Sequence, residues 1–217
     1  MGINKTYAVI GLGRYGTVVA KELINGGAEV LAIDYNENIV NEVAREIPLC
    51  KCVDICDKEA FLQLGMDRID VAIIAMASNL EASVMAITLC KEAGVGTVIV
   101  KCSNEMHAKI YKQIGADKTV FPEKESGRRL AKNILSNGFM DIFELSRDVS
   151  MLEIPVDEHW VGKNLIELKL RDKYGMNVVS LIKSGEVITD IDPQMPLQAD
   201  MKLIVIANVN KLKKLYN

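Results

Sequence analysis

A glycine-rich turn near the start of the chain carries the first residues that could do chemistry. Gly11, Gly13 and Gly16 follow a short apolar run in the order G-x-G-x-x-G and open an amphipathic stretch. In such a turn the first glycine permits a tight bend, the second lets backbone approach a phosphate, and the third lets helix and strand pack closely. The helix start offers N–H groups and partial positive charge to an anion. The turn therefore predicts a phosphate site.

Two charged side chains accompany this turn. Asp34 ends the second β-rich run, in LAIDYNEN, where a carboxylate can accept hydrogen bonds from ribose hydroxyls and repels a 2′-phosphate. A helix cap or turn residue is the alternative interpretation of Asp34. Arg14 offers a fixed positive charge to a phosphate, or is a surface arginine on the first turn of a helix. These residues favour a nucleotide, and they leave open whether it is a cofactor for catalysis or a signal.

Two further residues follow later β-rich runs. Lys101 ends the fifth run, in VIVKCSN, and Glu123 follows the sixth, in VFPEKES. Open α/β sheets bind ligands at the carboxyl ends of their strands, so we expect both residues near the nucleotide. Glu123 is a candidate ligand for a divalent cation such as Mg²⁺ or Ca²⁺ between phosphates, or it complements a helix dipole.

The first part of the chain alternates β-rich runs with helical periodicity. The predicted strands are 7–11, 29–34, 49–53, 71–76, 97–101 and 118–121. The predicted helices are 14–25, 37–46, 58–64, 80–93 and 104–114. Several runs are apolar on both faces, as expected for a parallel sheet covered by helices. The pattern predicts an α/β fold, a Rossmann-like doubly wound parallel sheet with right-handed crossovers.

The pattern changes after residue 122. One helix is predicted over 122–138, then a joining segment at 139–146 and a helix at 163–175. The predicted strands here are 150–156, 177–183, 186–191 and 201–207, with a hairpin turn at KSGE, 183–186. We therefore expect a nucleotide-binding domain at 1–122, a bridging crossover helix at 123–138, and a smaller α+β lobe at 139–217.

Composition excludes several classes of protein. A formal net charge of −3 argues against a general nucleic-acid or membrane-surface binder, which needs a basic excess. The longest apolar runs, such as VAIIAMA, fall far short of the roughly 20 residues of a spanning helix. The odd cysteine count indicates reduced thiols, and we expect small buried hydrophobes rather than metal ligands. The cysteines are Cys50, Cys52, Cys56, Cys90 and Cys102.

An oxidoreductase that uses NAD(H) is the enzymatic alternative. It depends on the glycines and Asp34 alone, because the chain has only two histidines, His107 and His159, and no clear catalytic acid–base set. His107 is expected to lie on a helix surface. The second lobe is also too small to resemble a substrate domain with its own catalytic residues.

Several segments together resemble the regulator of conductance of potassium (RCK) proteins. They are AVIGLGRYG, VLAIDYNEN, VIVKCSN, IGADKTVFPEKESGRRLA and VGKNLIELKLRDKYGMNVVSLIK. The likeness covers nearly the whole chain and is greatest to the Ktr-type subunits of bacterial potassium uptake systems.

The resemblance implies a non-enzymatic, cytoplasmic regulatory subunit. Its dimers would assemble into an octameric gating ring beneath a separate membrane-embedded potassium transporter subunit, with ATP activating and ADP inactivating transport. A regulatory subunit of another cation channel or antiporter is a further alternative.

The resemblance also implies the roles of individual residues. The glycine turn, with Tyr15, would hold the nucleotide; Arg14 would reach the γ-phosphate from the neighbouring subunit, Lys101 would face the phosphates, and Glu123 would join a cation site. The ribose and adenine contacts would be Asp34, Asn36, Asp54, Ile55, Ala77 and Ser78. A second ligand, cyclic di-AMP, would bind the small lobe at Ile166, Leu170, Arg171, Asn177 and Pro193.

Overall fold

The computed structural model describes residues 5–76, 78–135, 140–146, 148–208 and Lys211. The chain divides into two compact units, residues 1–122 and residues 123–217. We refer to them as unit 1 and unit 2.

Unit 1 contains the six-stranded sheet that the alternating pattern predicts. The strands are β1 (Thr6–Ile10), β2 (Glu29–Asp34), β3 (Cys50–Cys52), β4 (Val71–Ile74), β5 (Thr97–Lys101) and β6 (Lys118–Val120). Their order across the sheet is β3-β2-β1-β4-β5-β6, and every pairing is parallel. The order reverses between β1 and β4, and this is the point at which open α/β sheets bind ligands. The predicted Rossmann-like fold is confirmed.

The helices of unit 1 cover both faces of this sheet. They are α1 (Arg14–Asn25), α2 (Glu37–Val43), α3 (Lys58–Leu62), α4 (Leu80–Glu92) and α5 (Glu105–Gln113). One apolar cluster lies under α1 and includes Val9, Ala20 and Ala32. The other lies under α4 and α5 and includes Ile10, Ala86 and Tyr111. Strands buried on both faces explain the nearly continuous apolar runs in the sequence.

Helix α6 (Pro122–Leu135) starts at the last residue of unit 1 and continues in unit 2. It contains most of the predicted bridging helix; residues 136–138 lie outside the described residues. The sheet of unit 2 is antiparallel, in the order β10-β9-β11-β8-β7. The strands are β7 (Met140–Glu144), β8 (Val149–Pro155), β9 (Asn177–Lys183), β10 (Glu186–Ile188) and β11 (Lys202–Asn208). The expected hairpin joins β9 and β10, and its two central residues, Ser184 and Gly185, have φ of 51° and 85°. A right-handed sheet twist favours such a turn.

Two sequence-based predictions in unit 2 are wrong. The predicted joining segment at 139–146 contains β7, which pairs with β8. The predicted helix at 163–175 is two short helices, α7 (Leu165–Leu168) and α8 (Leu170–Tyr174). Lys169 separates them with φ 48° and ψ 45°, a left-handed conformation that ends α7. The break lets Leu168 and Leu170 both enter the core of unit 2, and local periodicity does not reveal that burial.

Candidate nucleotide-binding site

The glycine turn between β1 and α1 has the tight geometry that its sequence predicts. Gly11 has φ +92°, and a Cβ there would lie 2.6 Å from Met76 Cγ. A Cβ on Gly16 would lie 1.9 Å from the Gly11 carbonyl oxygen, so only glycine permits the turn and the helix to pack so closely. A Cβ on Gly13 would meet nothing within 4 Å. The first and third glycines are therefore required by the fold, whereas the second faces open space.

The start of α1 differs from the other helix starts in unit 1. Side-chain oxygens of Asn36, Asp57, Asn79 and Asn104 accept backbone N–H bonds at the starts of α2 to α5. Gly13 caps α1 without any side-chain bond, and the first turn of α1 contains no acidic residue. The positive end of this helix dipole is therefore suited to an external anion. Arg14, exposed in the same turn, adds a full positive charge.

Asp34 lies at the end of β2 and is 7% exposed. Its Oδ2 accepts the Leu12 N–H at 2.6 Å, and its Oδ1 accepts the Asn36 N–H at 2.9 Å. The carboxylate therefore ties the glycine turn to the segment after β2. Each carboxylate oxygen has a further lone pair, so ribose hydroxyls can still donate to it. The sequence left two interpretations of Asp34, a ligand contact and a turn residue. In this geometry one carboxylate can serve both purposes.

The structure also shows the roles of residues that sequence reasoning passed over. Leu12 supplies the N–H that Asp34 holds, and its carbonyl accepts the Thr17 hydroxyl at 2.7 Å. Met76 fills the space beside Gly11. A threonine directly after the third glycine is the sequence signal that could have indicated the Thr17 bond.

The predicted base and ribose contacts differ in their surroundings. Asn36 already uses its side-chain oxygen to cap α2, accepting from Asn38 N–H at 3.0 Å. Asp54 is exposed and accepts the Cys56 N–H at 2.9 Å, and Ile55 is 5% exposed within the core cluster. Ser78 is exposed in the turn before α4, and Ala77 lies outside the described residues.

Lys101 reaches the glycine turn from the other side of the switch point. Its Nζ lies 5.4 Å from the centroid of the Tyr15 ring, on the first turn of α1. The structure therefore brings Lys101 and Tyr15 together, as well as Asp34 and the glycine turn. Glu123 lies in the first turn of α6, in unit 2.

The five residues predicted for a second ligand all lie in unit 2. Leu170 is 3% exposed and packs in the core of that unit, where its side chain already has apolar neighbours. The other four, Ile166, Arg171, Asn177 and Pro193, are exposed.

The cysteines only partly follow expectation. Cys90 and Cys102 are buried, but Cys52 and Cys56 are exposed and Cys50 is half-buried, so their predicted burial is wrong. Cys50 and Cys52 lie on β3, an edge strand of the sheet, which leaves its side chains partly uncovered, and Cys56 lies in the turn between β3 and α3. Burial raises the pKa of Cys90 to about 12, and partial desolvation with the neighbouring Asp54 carboxylate raises the pKa of Cys56. Both thiols therefore stay protonated near neutral pH, which makes them weak nucleophiles.

His107 lies on α5, as expected. Its Nδ1 is 3.2 Å from the Ser103 hydroxyl, and its ring centroid is 6.0 Å from that of Tyr111. Among the described residues, no three His, Cys, Asp or Glu side chains are grouped so that they could hold a metal ion. Within the same residues, no helix is long and apolar enough to cross a bilayer.

Comparisons with known proteins identify the family. The TrkA-N domain family model matches residues 7–122, and the TrkA-C domain model matches residues 149–217. The chain is 37% identical over 212 residues to Ktr system potassium uptake protein C of Bacillus subtilis, covering 98% of this chain and 96% of that protein. The chain belongs to the TrkA/Ktr family. It is also 34% identical over 209 residues to Ktr system potassium uptake protein A of Vibrio alginolyticus, covering 96% and 95% of the two chains.

Solved structures agree with the fold of this Ktr-family chain. A GsuK channel aligns over 99% of this chain with a TM-score of 0.55 at 18% identity, and a GsuK channel bound to NAD aligns over 98% with a TM-score of 0.53 at 19% identity. This chain spans 38% of each of those channel chains. At this identity the likeness concerns the fold. The predicted resemblance to RCK proteins is confirmed.

Proposed function

We propose that this Ktr-family chain is a cytoplasmic, nucleotide-sensing regulatory subunit of a potassium uptake system. The observation that carries the proposal is the 37% identity, over nearly the full length of both chains, to a Ktr system potassium uptake protein. The glycine turn supports it, since Gly13 faces open space at the uncapped start of α1. The protein binds a ligand there and carries out no reaction on it.

The proposed assembly follows the expectation from the resemblance. Two copies pair, and the dimers form an octameric ring on the inner face of a membrane-embedded potassium transporter subunit. Residues 1–122 bind the nucleotide, the helix within 123–138 bridges, and residues 139–217 form the second lobe. Size measurement by light scattering on the purified chain, with and without nucleotide, tests the assembly; a monomer under both conditions contradicts it.

ATP activates and ADP inactivates in this proposal, and the reason is thermodynamic. A ligand shifts an equilibrium between two shapes only through its different affinities for them, so ATP must contact a group that ADP does not. We assign that difference to Arg14 and Glu123, with Arg14 supplied by the neighbouring subunit and Glu123 sharing a divalent cation. Lys101 faces the phosphates common to both nucleotides. Asp34 and Asn36 contact the ribose, while Asp54, Ile55, Ala77 and Ser78 border the adenine.

A competition assay tests the ligand. The purified chain is titrated by calorimetry with ATP, ADP, NADH and cyclic di-AMP, each alone and then against bound ATP. We expect ATP and ADP to compete for one site and cyclic di-AMP to bind without displacing them, at Ile166, Arg171 and their neighbours in unit 2. NADH is included because the Asp34 carboxylate can accept hydrogen bonds from the ribose hydroxyls of NADH as well as from those of ATP. Preference for NADH over ATP overturns the proposal and favours the oxidoreductase alternative.

Arg14→Ala tests the sensing residue. We expect affinity for ATP to fall roughly tenfold, and affinity for ADP to fall much less, since a hydrogen bond to a charged group contributes roughly 1.5–3 kcal/mol. Arg68→Ala removes the same charge from an exposed position near the start of β4 and is the matched control. Equal losses for the two nucleotides contradict the assignment.

A further inference from the structure

Lys101 and Tyr15 form a cation–π pair beside the glycine turn. The Lys101 ammonium lies 5.4 Å from the Tyr15 ring centroid, within the roughly 6 Å over which a ring face attracts a cation. Both residues are half-buried. Tyr15 belongs to the first turn of α1, immediately after Gly13 and Arg14.

The sheet explains why these two residues meet. Side chains two apart on a strand point to the same face, and Ile99 packs in the apolar cluster under α1. Lys101 therefore projects on the α1 side of the sheet. Strand β5 lies two positions from β1, about 10 Å away, so the lysine side chain crosses the end of β4 to reach the first turn of α1.

This position is unfavourable for a cation unless something offsets it. The start of α1 carries the positive end of the helix dipole, and the exposed Arg14 adds like charge in the same turn. The Tyr15 ring attracts the ammonium from one side. The three N–H donors of an ammonium cannot all point at one ring face, so the contact with Tyr15 does not itself prevent the ammonium from donating to an anion.

We infer that Tyr15 is a positioning residue, which holds the Lys101 ammonium at the start of α1 for a phosphate of the bound nucleotide. A lysine has a long, flexible stem that loses rotamer freedom when its end is fixed. A lysine already held by a ring loses less of that freedom on binding, which increases affinity. The inference rests on the proposed nucleotide site and assigns a function to the aromatic residue within the glycine turn.

A double-mutant cycle tests this inference. ATP and ADP affinities are measured by calorimetry for the wild-type chain, Tyr15→Leu, Lys101→Met and the double variant. Because cation–π pairs of this exposure contribute about 0.5–1 kcal/mol, we expect Tyr15→Leu to weaken both nucleotides about two- to fivefold. Lys101→Met should weaken them more. In the Lys101→Met background, Tyr15→Leu should then have no further effect.

Tyr15→Phe is the matched variant, because it keeps the ring face and removes only the hydroxyl. We expect it to restore the affinity that Tyr15→Leu loses. Thermal unfolding of each variant without ligand separates a positioning role from a general loss of structure, and similar midpoints are expected.

Each of the other outcomes contradicts either the inference about Tyr15 or the proposed function. If Tyr15→Leu does not weaken binding, or costs as much in the Lys101→Met background as in the wild type, Tyr15 does not act through Lys101. If Tyr15→Phe does not restore nucleotide affinity, the loss in Tyr15→Leu comes from the hydroxyl, and the inference is also overturned. If the wild-type chain binds neither nucleotide, the proposed function falls together with the inference. If the wild-type chain binds the nucleotides but the losses from the two substitutions simply add, only the inference about Tyr15 is overturned and the proposed function stands.

Discussion

The two ends of the parallel sheet in unit 1 use polar side chains differently. At the amino end, carboxylates join the starts of neighbouring strands. Asp70, before β4, accepts the Thr6 N–H of β1 at 2.8 Å, and Asp117, before β6, accepts the Val98 N–H of β5 at 2.6 Å. The Nζ of Lys91 also lies 2.6 Å from the Oδ2 of Asp117. These bonds lower the pKa values of both carboxyl groups.

At the carboxyl end, the start of α1 is open and is not bonded by a side-chain cap. Gly13 faces open space, α1 begins without a side-chain cap, and Arg14 is exposed in its first turn. Asp34 nevertheless bonds two backbone N–H groups there, and the Lys101 ammonium lies over the Tyr15 ring. The comparison teaches that the carboxylates at the amino end serve the fold alone, whereas the carboxyl end combines groups that the fold requires with the groups that we propose for the ligand. Substitutions at the amino end should therefore alter stability only, and substitutions at the carboxyl end should alter stability, binding or both.

Gly16→Ala should have the largest effect on stability. Its methyl group would lie 1.9 Å from the Gly11 carbonyl oxygen and 3.0 Å from the Gly11 carbonyl carbon, both backbone atoms that cannot move aside cheaply. We expect a loss of more than about 3 kcal/mol of unfolding free energy, because close overpacking forces the backbone to shift. Far-ultraviolet circular dichroism measures the unfolding. The single tryptophan, Trp160, lies in unit 2, so its fluorescence reports that unit separately.

Gly13→Ala is the matched control for Gly16→Ala. Its methyl group would enter open space at φ −66°, a conformation that alanine adopts readily. We expect stability within about 1 kcal/mol of wild type, the scale of a changed helix cap, and a strong loss of ATP and ADP binding. A variant that unfolds like Gly16→Ala, or that binds nucleotides normally, breaks the distinction between the two glycines.

Asp34→Ala should affect both measurements. It removes the acceptor of two N–H groups, those of Leu12 and Asn36, at a site that is 7% exposed. Each buried group left without a partner costs about 1–3 kcal/mol, so we expect a loss of about 2–4 kcal/mol together with weaker binding of ATP and ADP alike. Chemical denaturation and calorimetry measure the two effects.

Asp34→Asn separates the backbone bonds of this carboxylate from its proposed ribose contacts. The amide keeps one oxygen acceptor, so it should retain more stability than alanine while nucleotide binding is still weakened. If Asp34→Ala is as stable as wild type, then the carboxylate does not hold the glycine turn.

The sequence predicted unit 1 better than unit 2 for physical reasons. In unit 1 each β-rich run, helix cap and glycine gives a local signal, and parallel topology then brings the carboxyl ends of the strands together. The exposed thiol of Cys52 was missed because the alternating pattern does not reveal which strand lies at the sheet edge. The bond from the Leu12 N–H to Asp34 was missed because it depends on the backbone of a turn 22 residues away.

In unit 2 the decisive features come from the tertiary structure. Nothing in the residues around Lys169 signals a left-handed conformation, which lysine rarely adopts; it is imposed where Leu168 and Leu170 both enter the core. The same burial places Leu170 among core side chains, although the resemblance assigned it to a ligand. Strand β7 is different, because its segment FMDIFELS is mostly apolar and pairs with β8, the next strand along the chain. A local strand signal was therefore present there, and interpreting the segment as a connection missed it.

Asp117→Asn should have the smallest effect, at the amino end of the sheet. The bonds from Lys91 and Val98 hold the pKa of the Asp117 carboxyl below its ordinary value of about 3.9. A carboxyl with a lowered folded-state pKa stabilises the protein above its unfolded pKa, and that stabilisation disappears as pH falls through the folded value. We expect Asp117→Asn to cost about 1 kcal/mol at pH 7, a modest value because the side chain is 43% exposed and partly screened. Urea unfolding at pH 7 and pH 3 measures the difference, which should shrink at the lower pH.

Glu92→Gln is the matched control, because Glu92 pairs with Lys58 at 2.6 Å and both side chains are about half exposed, 49% and 56%. This pair joins two helices, α3 and α4, rather than two strands of the sheet. We expect a change below about 0.5 kcal/mol at either pH, as is usual for an exposed ion pair.

If Asp117→Asn behaves like Glu92→Gln, or costs the same at pH 3 as at pH 7, the charged bond to the start of β5 does not stabilise the sheet. Nucleotide affinity should be unaltered in both variants, because neither residue lies at the carboxyl end; a change there would mean that the two ends are coupled.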